Sequence, residues 1–198
     1  MIRFLMMLFQ MFSIGKEEPK TAPASIPQPK IDSTPSSKTG VDWTDPNCPI
    51  SKYFTVKNAI YLPQWSRLSN ERDSLTDDAK AALIKLFTEI MDPIRELLGK
   101  PIKVHVSFRS PEYNVLIGGA KMSIHMARKH DDGSLVAACD FSADMGKGSL
   151  GANCYEIKKI LKPKLAEMGI RMEDNGDLAP WVHIDNRKPG PGGRFFKP

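Results

Sequence analysis

"SIHMARKHDDGSLVAACDF", Ser123–Phe141, gathers two histidines and three aspartates around a turn. "HDDGS", His130–Ser134, is a hairpin signal, because Asp132-Gly133 supplies the positive φ that a tight turn needs. The flanking residues then read as a short strand going out and another returning. On the returning strand Val136, Ala138 and Asp140 alternate to one face, and Asp132 falls at the exposed tip.

The same alternation recurs on both sides of this stretch. "PIKVHVSF" reads as a strand with Ile102, Val104 and Val106 on one face, and "PWVHIDN" as a short strand that turns Trp181, His183 and Asp185 inward. "SPEYNVLI" forms a short helix and "GGAK" a turn. "ANCYEIKKILKPKLAEMGI" reads as a helix bent at Pro163.

The longest helix is "SLTDDAKAALIKLFTEIMDPIRELLGK". Thr76 caps it, Asp77 and Asp78 suit the positive end of its dipole, and Gly99 ends it. Leu83, Leu86, Phe87, Ile90, Ile94 and Leu97 make a core-facing stripe, and Pro93 is expected to kink or divide the helix. "YFTVKNAIYL" reads as extended chain. The expectation is an α+β domain over residues 50–190, a small antiparallel sheet with flanking helices.

The ends differ in character. Residues 1–15 place Arg3 before an apolar run, Phe4–Ile14, too short for an ordinary membrane span but suited to a secretory signal or an anchor. Membrane contact is expected through this segment. Residues 16–49 are rich in Pro, Ser, Thr and Lys and poor in large aliphatics, which reads as a disordered tether. Residues 191–198 read as a basic, irregular tail.

Of the 198 residues 41% are hydrophobic, enough for one core, and the net charge of +5 favours an anionic partner. The basic residues are dispersed and no nucleic-acid-binding signature is present, so nucleic acid is not an expected partner. Cys48, Cys139 and Cys154 form no CxxC and read as small buried thiols, with a Cys48–Cys154 pair left open.

Four histidines are present: His105, His125, His130 and His183. A catalytic zinc needs three nitrogen or carboxylate ligands and a fourth position open to water, which two histidines and one aspartate would provide. His125, after the Gly-Gly turn, and His183, in the apolar strand, have the best contexts.

"SFRSPEYNVLIGGAKMSIH", "AACDF" and "WVHID" together resemble the M15 zinc peptidases of bacterial cell walls and phage lysins. "PISKYFTVKNAIYL" is similar to an N-terminal motif of many members. The resemblance spans about residues 52–188 and implies the hedgehog/DD-peptidase-like zinc peptidase fold. It implies Zn2+ held by His125, Asp140 and His183. The family pattern counts literally from His125 to Asp132, but Ala138 and Phe141 match the residues that flank the ligand. Asp140 is therefore read as the ligand, with a hairpin of eight residues inserted before it. His130 belongs to that insertion.

Many relatives carry a catalytic carboxylate three residues before the last histidine. Here that position is Pro180. Asp177 is the candidate instead, with Glu173 and Asp174 in reserve, and Asp185 is read as orienting the site from behind the ligands. The resemblance implies that Arg109 acts on the substrate in binding and catalysis. Ser123 and Trp181 are candidate substrate-binding residues, while Tyr113 and Asn114 brace the loop.

The function so implied is zinc-dependent hydrolysis of an amide in peptidoglycan stem peptides or crosslinks, as a DD-carboxypeptidase or an endolysin-type endopeptidase. It would act at the cell envelope, in the periplasm, or from a phage particle. The alternative is a non-catalytic wall-binding, virion or envelope structural module that keeps the fold, which Pro180 favours.

Overall fold

A computed structural model describes residues 40–197. The expectations for residues 1–15, and for the tether up to residue 39, lie outside the described residues. Residues 41–48, assigned to the tether from composition, are ordered: Val41, Trp43 and Cys48 pack against the core, and Pro49 bridges to Thr55. The few large side chains in this stretch suffice to hold it.

The first element is a helix, α1 (Val56–Ile60), where extended chain was expected. Thr55 and Asn58 form a reciprocal capping box at its start, a local signal that the apolar alternation masked. A small hairpin follows, β1 (Tyr61–Leu62) paired with β2 (Arg67–Leu68).

The long helix is capped by Thr76 Oγ1, which accepts from Ala79 N, and ends at Gly99 with φ +60°. It divides into α2 (Asp77–Leu86) and α3 (Asp92–Leu98), joined by a π-helical turn over Phe87–Met91. Pro93, in the first turn of α3, lacks an N–H to continue the helical ladder, and the wider turn just before it absorbs the mismatch. That wider turn also rotates the apolar stripe. Leu83, Leu86, Phe87, Ile90 and Ile94 are buried as expected, but Leu98 replaces Leu97, which is 41% exposed.

The remaining elements are β3 (Ile102–Val106), α4 (Pro111–Leu116), β4 (Arg128–Lys129), β5 (Leu135–Val136), β6 (Ala138–Ala143), α5 (Leu150–Leu161), β7 (Arg171–Glu173), β8 (Val182–Asp185) and β9 (Phe195–Phe196). The main sheet runs β3-β6-β8-β7-β9 and is antiparallel except for the parallel β7–β9 pair. The architecture is α+β. The C-terminal residues, expected to be an irregular tail, supply β9 and so join the sheet. Pro163 ends α5 in a 3-10 turn, Lys162–Lys164, as the predicted bend required.

Period-two alternation gives this sheet two unlike faces. Cys139, Phe141, Ala143, Met172, Val182 and Ile184 belong to the main core, packed with the helices. Asp140, Ser142, His183 and Asp185 occupy the other face, and they too are buried. The alternation of β3 breaks at its end. A bulge between Val104 and Val106 sets Val106 opposite Asp140, so Ile102 and Val104 pack on the core and Val106 does not. Cys48, Cys139 and Cys154 are all free thiols, so the pair left open does not form.

Candidate metal centre

The hairpin read from "HDDGS" is present. β4 pairs with β5, His130 N donates to Ser134 O, and Asp132 sits exposed at the tip, where Lys188 Nζ reaches it at 2.7 Å. The insertion thus carries Asp132 out and returns Asp140 to the sheet. There Asp140 stands directly opposite His183 in the β6–β8 register.

His125 reaches the same point from a loop. Ser110 caps α4, and Asn114 Nδ2 donates to Ala120 O at 2.9 Å, which ties the Gly118-Gly119 turn to the helix. A side chain at Gly119 would collide with Asn114. Arg109 N donates to His125 O at 2.8 Å and seats the histidine against the end of β3. Tyr113 OH accepts from Gln64 N, so Asn114 braces this loop while Tyr113 ties α4 to the turn between β1 and β2.

His125 Nδ1–H donates to Ser107 O at 2.7 Å, which leaves the Nε2 lone pair facing inward. His125 Nε2 lies 3.2 Å from His183 Nδ1 and 3.3 Å from Asp140 Oδ1, and His183 Nδ1 lies 2.7 Å from the same oxygen. All three ligand atoms fall within 4.8 Å of one another. A tetrahedral ion with bonds of about 2.0–2.1 Å has ligand–ligand edges of roughly 3.3 Å. Two of the three spacings match that edge, and the 2.7 Å His183–Asp140 hydrogen bond would have to lengthen to admit a divalent cation.

The electrostatics agree. Burial pushes the Asp140 carboxyl up, but the two histidines outweigh it and hold the pKa far below the usual range. Burial lowers the His125 pKa, while His183, despite burial, is held up to about 9 by Asp140 and Asp185. Two imidazoles converge on one carboxylate, and a cation entering there would displace a proton.

Asp185 stands behind His183, 3.8 Å from Nε2, fully buried. Arg171 grips both of its oxygens at 3.0 and 2.7 Å, and Arg187 Nη2 adds a third contact at 3.0 Å. This is the orienting place expected for it. Arg171 and Arg187, which sequence reading passed over, complete the arrangement. Their signal was the alternation Arg171-Met172-Glu173 and the short step from Asp185 to Arg187.

A cavity of about 380 Å³ opens over the ligands, bordered by Arg109, Ser123, Glu173, Trp181 and Arg187. Arg109 Nη2 donates to Asp140 Oδ2 at 2.7 Å. Arg109, Ser123 and Trp181 are thus all at the site. Trp181, expected inward, is 39% exposed and stands at the rim.

The carboxylate placement departs from expectation. Asp177 borders a different cavity, with Tyr155, Lys158 and Asp174, on the α5 side. Lys158 Nζ donates to Asn175 Oδ1 and Gly176 O, both at 2.6 Å, and draws the loop that way. Glu173 instead ends β7. Its neighbours Arg171 and Met172 pair with Asp185 and Ile184, and that register carried one residue further sets Glu173 beside His183.

The family model of peptidase M15 matches residues 64–185, which hold His125, Asp140 and His183. The chain belongs to the peptidase M15 family. It is therefore a metallopeptidase by family, with His125, Asp140 and His183 as a candidate metal site. No curated protein and no solved structure shows a match.

Proposed function

We propose that this M15 peptidase is a zinc-dependent hydrolase of amide bonds in peptidoglycan stem peptides or crosslinks, with a hedgehog/DD-peptidase-like fold. The observation that carries the reading is the convergence of His125, Asp140 and His183 on the floor of a cleft whose wall holds Glu173. Two imidazoles and one carboxylate suit zinc better than magnesium or calcium, which favour all-oxygen sites.

His125, Asp140 and His183 would hold the zinc, which would supply Lewis acidity and acidify water near neutral pH. Glu173 is the group placed to take the proton of an attacking water and return it to the departing amine. Arg109, oriented by its bond to Asp140, lies where a guanidinium can polarise the carbonyl under attack. Ser123 and Trp181, on the cavity border, position the peptide. Asp185, clamped by two arginines, holds the His183 ring in place.

Glu173 also answers the objection that Pro180 raises. A carboxylate from the neighbouring strand can do what position 180 does not, so the catalytic reading stands above the non-catalytic module. The net charge of +5 suits an anionic wall, reached from the bacterial envelope or from a phage particle. Zymography on purified sacculi tests the proposal. Wild type and Asp177→Ala are expected to clear the gel, and Glu173→Gln is not. If no zinc-loaded protein clears it, the peptidoglycan assignment fails.

A further inference from the structure

A second cavity, of about 410 Å³, meets the first at the metal site. It is bordered by His105, Leu150, Pro180, and by Arg109, Asp140 and Trp181, which the two cavities share. Asp140, a candidate ligand, therefore borders both cavities and stands at their junction.

The second arm is built by identifiable features. His105 occupies the bulge between Val104 and Val106, and such irregularities re-aim a side chain. His105 Nε2 lies 2.9 Å from Ser142 Oγ, two residues along β6 from Asp140, so the ring is fixed beside the centre. Leu150, in the first turn of α5, is 45% exposed and forms part of the opposite wall with Pro180. Pro180 thus has a use here as an apolar wall, with no N–H to leave unpaired.

The charge pattern of the two arms says what kind of chain they hold. The arginine shared by both, Arg109, is paired with Asp140 at 2.7 Å. Arg187, on the first arm, is paired with Asp185 at 3.0 Å. Arg109 Nε is buried without a partner, so at the junction one donor remains for the carbonyl of a peptide that runs through it. The second arm offers apolar walls and one imidazole, which suit an uncharged peptide segment.

Resting on the reading of the site as a peptidoglycan peptidase, we infer that the cleft runs through the metal site and holds peptide on both sides of the bond. The substrate is then an internal amide, as in a crosslink between two stem peptides, and the arm at His105 and Leu150 holds its continuation.

The test measures binding and products separately. Metal-free protein is titrated with a purified crosslinked muropeptide dimer and with an uncrosslinked stem pentapeptide. The dimer should bind about tenfold tighter. Leu150→Trp, which plugs the second arm, should remove that advantage and leave pentapeptide affinity unchanged. His105→Ala provides an independent check by the same readout. With the zinc-loaded protein, dimers should be converted to monomers and terminal residues should stay on pentapeptides. Equal affinity for the two ligands, or an undiminished advantage in both variants, overturns the second arm. Release of the terminal residue with dimers left whole overturns it too, while the peptidoglycan reading survives. Neither binding nor cleavage of any muropeptide removes both.

Discussion

Strands β6 and β8 each have two faces, and the two are equally hidden but differently made. Cys139, Phe141, Val182 and Ile184 are buried among hydrocarbon, and Asp140, Ser142, His183 and Asp185 are buried among charges and hydrogen bonds. The first face stabilises the fold in proportion to the apolar area it removes from water. The second gains little by burial, since desolvating paired ions costs about as much as their attraction returns. A chain selected for stability alone would fill both faces with hydrocarbon. The polar face is therefore the functional one, and substitutions on the two faces should fail in different currencies.

The largest effect is expected at Asp140. Asp140→Asn keeps the volume but removes the charge that unites the two histidines. Peptidase activity should fall by about 10³-fold or more, with zinc content measured by mass spectrometry dropping well below one equivalent. The far-UV circular dichroism should remain that of wild type. Retention of stoichiometric zinc would mean that the ligand is another residue.

Next is the carboxylate beside His183. Glu173→Gln should lower kcat by roughly 10²–10⁴-fold while zinc content stays at one equivalent. Asp177→Asn, in the cavity on the other side of the loop, should leave kcat close to wild type. The reverse pattern would move the proton-transfer role to Asp177.

Phe141 tests the opposite face. Its side chain is fully buried in the core, although its neighbours in the chain, Asp140 and Ser142, belong to the polar face. Phe141→Ala should cost about 3–5 kcal/mol in denaturant unfolding, and the protein that stays folded should still bind zinc. If zinc is lost with no loss of stability, the two faces are not separable in the way drawn here. A smaller effect is expected behind the ligands. Asp185→Asn should weaken zinc affinity by about 10–100-fold in a chelator competition, with both arginines left to find other partners.

Much of this was legible in the sequence because periodicity carries it. The alternation Val136-Ala138-Asp140 and Trp181-His183-Asp185 already set the polar residues on one face, and "HDDGS" marked the hairpin. What escaped depends on register and phase. The π-helical turn at Phe87–Met91 swaps Leu97 for Leu98, and the bulge in β3 turns Val106 away from the core. Pro93 marks where the helix must yield but not how the stripe rotates, and the bulge has no local motif. Spacing along the chain to His183 favours Asp177 over Glu173, whereas the β7–β8 register carried one residue past Met172 brings Glu173 to the cavity from the neighbouring strand. Distance in sequence and adjacency in a sheet are different quantities, and only the second bears on catalysis.

The smallest effect is expected at a residue that belongs to neither face. Asp132 lies nearer to His125 in the chain than Asp140 does, and the literal family spacing selects it. Yet its carboxylate is exposed at the hairpin tip, held by Ser134 and by Lys188 at 2.7 Å. Those partners hold its pKa below the ordinary carboxylate range, Lys188 contributing most, but an exposed pair of this kind is screened by water and salt. Asp132→Ala should therefore leave zinc content, kcat and the thermal midpoint at wild-type values. Loss of zinc in this variant would show that the hairpin folds back over the ligands, and the polar face of the sheet would then be incomplete without it.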